Sequence, residues 1–136
     1  MKSKIVFSLV LMGAFLFGMA FIAPVQKGDP WVVPAKYEKM ANPVKSTPES
    51  IKEGKTLWVK HCQSCHGKTG LGDGTKAAQL DTEPGDFTKA EVQKQSDGAL
   101  FYKTLEGRDD MPSFKKKIPE QEDLWNLVNF MRTLKK

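Results

Sequence analysis

Cys62-Gln63-Ser64-Cys65-His66 is the stretch on which the reading of this chain turns. C-x-x-C followed at once by histidine is the attachment pattern of c-type haem. Two cysteines at that spacing reach the two vinyl groups of one porphyrin and form thioethers. The next residue's ring is held beneath the same porphyrin, where a nitrogen can bind iron. Other uses of the pair fit less well. They are the chain's only cysteines, and His61 and His66 its only histidines, so the separated ligand pairs of a structural zinc site are missing. No βαβ pattern surrounds them, as a thioredoxin-like pair requires. A disulfide across two residues would close a very small loop and stabilise little. His61 directly precedes Cys62; if Cys62 faces a haem, His61 points elsewhere and reads as a surface or capping residue.

Upstream, Thr47-Pro48-Glu49 reads as a helix start, with Thr47 as N-cap, Pro48 in the first helical position and Glu49 in the first turn. Ile51, Gly54 and Trp58 recur at helical spacing, and the helix is expected to run to about His61. Gly54 costs roughly 1 kcal/mol against alanine inside a helix; close approach of a second helix would explain it. Downstream, Gly67, Gly70, Gly72 and Gly74 form a glycine-rich loop without the strand or the Gly-Lys-Ser/Thr ending of a phosphate loop. A haem histidine needs an acceptor for its second nitrogen, and a backbone carbonyl of this region is expected to supply it, although the residues do not say which. Leu80, Pro84 and Phe87 read as haem-facing or core. Thr88 and Glu91 have capping-box spacing before a short helix. Ser96 or Asp97 opens another, carrying Leu100, Phe101 and Leu105, with Gly107 as its stop.

Met111 stands in a loop just before Pro112. A thioether on a stiff loop suits a sixth ligand to iron; the alternative is a core methionine filling a gap. Met131 falls mid-helix and reads as core, and Met40 is a remote alternative ligand. Lys115-Lys116-Lys117 is either a solvated run or a steering patch for an acidic redox partner. Ile118 and Pro119 open the final helix, whose stripe is Leu124, Leu127, Val128, Met131 and Leu134.

At the other end, Lys2 and Lys4 precede the uncharged run Ile5–Ala23, 19 residues long. This is the layout of an export signal, with small residues allowing cleavage after Ala20; the run is also long enough for membrane anchoring through residues 5–23. Either way the chain beyond Pro24 is expected outside the cytoplasm, in the periplasm or on the outer face of the bacterial cytoplasmic membrane. Three parts are expected: a signal peptide or anchor over 1–23, a proline-rich extension over 24–46, and a haem domain over 47–136. Prolines 24, 30, 34, 43 and 48 exclude a long helix from the extension. Its Trp31, Tyr37 and Met40 either pack on the domain or strap a partner subunit. The formal net charge of +5 includes Lys2 and Lys4, and the remainder is too mild to argue for nucleic acid.

From about Thr47 to Leu134 the chain resembles the class I monohaem cytochromes c of bacteria. Cys62–His66 and Met111-Pro112 stand in that family's order. Gly54-x-x-x-Trp58 and Leu127-x-x-Phe130 look like its paired motifs on the first and last helices. The resemblance implies an all-α fold, with N- and C-terminal helices crossing around one covalent haem. It implies Cys62 and Cys65 as thioether cysteines, His66 as proximal ligand and Met111 as distal ligand. It further implies single-electron transfer by haem c in an exported respiratory chain, with no catalysis by the domain itself. The alternatives are an electron-accepting haem subunit of a larger oxidase or dehydrogenase complex, and a gas-binding or peroxidatic haem protein. The gas-binding four-helix cytochromes carry C-x-x-C-H near the C-terminus, unlike this chain. Thr75 after Asp73-Gly74 departs from the proline many bacterial members have there. The segment Gly107 to Phe114 is most similar to cytochromes c that serve terminal oxidases.

Overall fold

The computed structural model describes residues 30–136, of which Trp31–Lys136 form one compact unit. The expected signal or anchor over 1–23 lies outside the described residues. Among those described the fold is helical, with one isolated bridge between Arg108 and Met111 and no strand. No described helix is long and apolar enough to cross a membrane. In chain order the elements are α1 (Ala35–Glu38), α2 (Pro48–His61), α3 (Gln63–His66), a 3-10 turn (Ala77–Gln79), α4 (Ala90–Gln93), α5 (Asp97–Glu106) and α6 (Gln121–Thr133).

Helix α2 starts where its sequence predicts. The Thr47 hydroxyl accepts from the Ser50 N–H at 3.2 Å, which satisfies a donor the helix leaves unpaired. Gly54 marks the crossing with α6. A Cβ there would run into the Asn126 carbonyl and come within 2.8 Å of the Phe130 Cβ. The glycine's cost in helix propensity is therefore the condition for the two backbones to touch. Around this crossing Trp58, Leu124, Leu127 and Val128 are almost wholly buried, so the apolar stripe of α6 meets the inner face of α2. Helix α5 packs on α6 through Phe101 and Trp125, stacked 4.2 Å apart.

Two helix starts differ from expectation. Thr88 does not cap α4; its N–H and hydroxyl both bond the Asp86 carboxylate, at 2.9 and 2.7 Å. An acceptor two residues back captures the threonine locally, and α4 begins later, after Lys89. Ile118 and Pro119 precede α6 without entering it, and its N-cap Glu120 makes no side-chain cap. Ser96, by contrast, does cap α5, accepting from the Ala99 N–H at 3.1 Å. Gly107 ends that helix with φ +70° and lies against the Met111 carbonyl.

The part of the extension within this unit, from Trp31, lies on the domain rather than away from it. Tyr37 sits on Phe101 and Tyr102, with ring centroids 6.4 and 4.7 Å away. Asn42 Nδ2 donates to Asn129 Oδ1 at 2.9 Å, and Asn129 Nδ2 donates to the Val44 carbonyl at 3.1 Å and to Ser50 Oγ at 2.7 Å. Asn129 on α6 thus holds both the extension and the start of α2.

Candidate functional site

Helix α2 ends at His61, and Cys62 caps it, so the chain turns into the single turn α3 that carries Cys65 and His66. Cys62, Cys65, His66 and Met111 all line one cavity. Neither cysteine is in a disulfide. Burial, and then the neighbouring Cys65, push the Cys62 thiol up to about 12. The apolar wall includes Leu80, Pro84, Phe87, Leu100 and Phe114, so the three residues expected near a haem from the glycine-rich loop and its continuation are all present.

The carbonyl that partners His66 is that of Gly85, 3.3 Å from Nδ1. This leaves Nε2 as the nitrogen available to a metal, since the bond made by one ring nitrogen sets the role of the other. Burial holds the His66 imidazole below its ordinary range, toward the neutral form that coordinates metals, while the Gly85 carbonyl opposes this. Trp58 and Phe87 flank the ring, at 5.7 and 5.2 Å between centroids. Trp58 is itself anchored by its Nε1–H to the Gly67 carbonyl at 3.0 Å.

The glycines shape the loop beneath. Gly72 N–H bonds the His66 carbonyl at 2.9 Å, and Gly74 N–H bonds that of Cys65 at 3.1 Å. A Cβ on Gly74 would strike the Ser64–Cys65 peptide. Only a glycine lets the backbone pass so close under α3. Thr75, which follows Gly74, leaves this approach intact.

Met111 sits at the end of a tight turn. Arg108 and Met111 exchange two backbone hydrogen bonds, at 2.8 and 2.9 Å, and Asp109 between them has φ +53°. The carboxylate of Asp110 accepts from the Thr82 N–H at 2.8 Å, tying this turn to the loop before Gly85. Of the other methionines, Met40 is exposed and does not line the cavity, whereas Met131 is buried and forms part of its wall from α6.

His61 departs from expectation. It does not point away: its half-buried ring packs edge-on to Phe114 at 6.0 Å and lines the cavity beside Cys62. The turn at the end of α2 is the reason, because the last helical residue and its cap flank the same hollow. Trp31 and Lys103 also line the cavity. Their part in it was not legible from the sequence, since neither lies in a motif.

The donor set fits a covalently held haem. Two thiols free of any disulfide in C-x-x-C order, an imidazole fixed through its far nitrogen and a thioether on a braced turn share one largely apolar hollow. The comparisons agree. Residues 49–131 match the family model described as cytochrome C oxidase, cbb3-type, subunit III. Solved c-type cytochromes have the same helical fold: the KustC0563 c-type cytochrome is 33% identical, with TM-score 0.53, over 61% of this chain and 98% of its own. A mutant of that cytochrome matches at 32% identity, TM-score 0.52, over 61% of this chain and 99% of its own. A chain of the Kuenenia stuttgartiensis reducing HAO-like protein complex Kustc0457/Kustc0458 is 27% identical, with TM-score 0.61, over 69% of this chain. This chain spans only 47% of that one. No curated protein matches. The fold and the site define a c-type cytochrome domain. With the family model covering more than half of its length, the chain belongs to the family of cytochrome c oxidase, cbb3-type, subunit III. Membership points to haem-based electron transfer and to haem c as the cofactor.

Proposed function

We propose that the chain is a monohaem electron carrier of an exported respiratory chain, in which Cys62 and Cys65 carry the thioethers and His66 and Met111 are the axial ligands. The convergence of these four residues on one cavity carries the reading. Haem c bound there supplies a one-electron Fe(II)/Fe(III) couple, and His/Met ligation favours the reduced form. Gly85 fixes the orientation and protonation of His66, Trp58 and Phe87 exclude water from it, and the turn from Arg108 holds Met111. With His66 and Met111 both holding the iron, the domain would offer no open site for a substrate and would act as a carrier rather than an enzyme. Residues 1–23 export the chain, as a cleaved signal or as an anchor, to the periplasm or the outer face of the cytoplasmic membrane.

Lys115, Lys116 and Lys117 are exposed next to Phe114, which lines the cavity, and Lys117 Nζ lies 5.4 Å from its ring centroid. Such a rim would speed encounter with an acidic redox partner, and added salt would weaken the effect. Likeness to a chain from a protein complex favours a second reading, a haem subunit held in a larger assembly. Stable co-purification with larger subunits would favour it over a mobile shuttle.

Optical spectra of the exported holoprotein, oxidised and reduced, test the reading. A low-spin spectrum with the weak long-wavelength band of a methionine–ferric bond is expected, lost in Met111→Ala and kept in Met131→Leu. The reverse pattern would move the ligand to Met131. A high-spin spectrum that shifts with carbon monoxide would replace the carrier with a gas-binding protein.

A further inference from the structure

Trp31 lies outside the span that matches the family model, yet it reaches the cavity. Two cations lie near its ring: Arg108 Cζ is 4.8 Å and Lys103 Nζ 5.5 Å from the centroid. Both residues line the same cavity. Lys103 Nζ also donates to the neutral Gln95 Oε1 at 2.6 Å, and Arg108 Nε pairs with Asp109 at 3.2 Å. Burial pushes the Lys103 ammonium down from its ordinary range; Glu38 opposes this and Arg108 adds to it. Two half-buried cationic heads thus stand beside one indole at the cavity, and an anion placed between them would be attracted to both.

The group that the cavity suits brings such an anion. Haem is apolar over most of its area and carries two propionate carboxylates along one edge. Leu80, Phe87 and Leu100 offer those carboxylates no side-chain donor, and of the acids that line the cavity Glu83 and Asp110 would repel them, while Asp109 is paired with Arg108. The Trp31 side is where the cations stand.

We propose that Lys103 and Arg108 bind the haem propionates, and that Trp31, delivered by the segment 31–46, positions both cations for it. The proposal rests on the reading that haem c occupies this cavity. The segment is fastened well enough for the task. Tyr37 packs on Tyr102, Ser96 Oγ donates to Glu38 at 3.0 Å, and Asn42 is bonded to Asn129. Trp31 is thus a positioning residue, and Lys103 and Arg108 supply the charge that matches a dianionic edge.

Resonance Raman spectra and redox titrations of the exported holoprotein test this. Lys103→Gln and Arg108→Gln should each shift the propionate bending bands and lower the midpoint potential, because losing a positive charge near the haem favours the ferric state. Lys103→Arg should restore both. Trp31→Phe should leave the bands near their wild-type position, and Trp31→Ala should move them as the cation variants do. Unmoved bands in both glutamine variants, with haem fully attached, would overturn the proposal. Those two variants decide the matter even where Trp31→Ala fails to accumulate, since both side chains stand at a part-exposed rim. A wild-type protein without covalent haem is a separate result, which overturns the underlying reading as well.

Discussion

His66 is held from three directions, by the Gly85 carbonyl on Nδ1 and by the rings of Trp58 and Phe87 on its flanks. Met111 is held through its backbone, by the two bonds of its turn and by the Asp110–Thr82 tie beside it. One side of the cavity fixes a ring directly; the other fixes a loop and lets a flexible thioether follow. An imidazole must present one nitrogen in one plane, whereas a thioether with three rotatable bonds adapts to where its loop puts it. The histidine side should therefore resist perturbation up to the point where the core fails, and the methionine side should yield gradually.

The strongest way to break that contrast is Trp58→Ala. It removes an almost wholly buried ring that touches His66, Phe87 and Phe130, and should cost about 3–5 kcal/mol. Denaturant unfolding measures it, and a loss below about 1 kcal/mol would mean that the ring is not part of the support. Next is Gly107→Ala. The residue has φ +70°, and a Cβ would stand 2.5 Å from the Met111 carbonyl oxygen. A cost of about 2 kcal/mol is expected, together with a weaker methionine–iron band. An unchanged band would show that the turn adjusts without moving the ligand.

Asp110→Ala removes only the tie to the Thr82 N–H. Both residues are exposed, so about 1 kcal/mol or less is expected. Faster binding of an added external ligand to the ferric protein would be its clearer signature, and unchanged rates would make the tie incidental. The smallest effect is a pH dependence on the histidine side. Hydrogen bonds from the Thr88 hydroxyl and N–H hold the Asp86 carboxyl below its ordinary range. Its contribution to stability is present above the unfolded carboxyl's pKa and is lost as pH falls through the lower, folded value. Asp86→Asn should accordingly lose less stability than wild type between neutral and acid pH, and parallel losses would discard the linkage.

Much of this was legible because the signals were local. Thr47 lies three residues before the N–H it caps, Gly54 and Trp58 lie one turn apart, and the α6 stripe repeats at helical spacing. The longer helices α2, α5 and α6 followed from such patterns, whereas the short helix α1 and the 3-10 turn did not. Gly85 did not, because a carbonyl has no side chain to announce it and lies 19 residues from His66. Thr88 misled because a capping box and a threonine bonding back to Asp86 share the same residue types; which acceptor wins depends on where the helix starts. Trp31 could be read as apolar and packed, but not as the neighbour of Lys103 and Arg108, about 70 residues along the chain, because nothing periodic connects them. His61 was misjudged by treating adjacent residues as facing opposite ways, which fails where a helix ends.

The Asn129 side chain has a practical bearing on where this domain can be cut. Its amide is buried, and two of its partners, Asn42 and Val44, precede the region that aligns with relatives. A recombinant fragment trimmed to residues 47–136 would strand part of that amide, at about 1–3 kcal/mol for an unsatisfied buried group. It would also strip the cover from Phe101 that Tyr37 supplies. A durable excised domain should begin no later than Trp31.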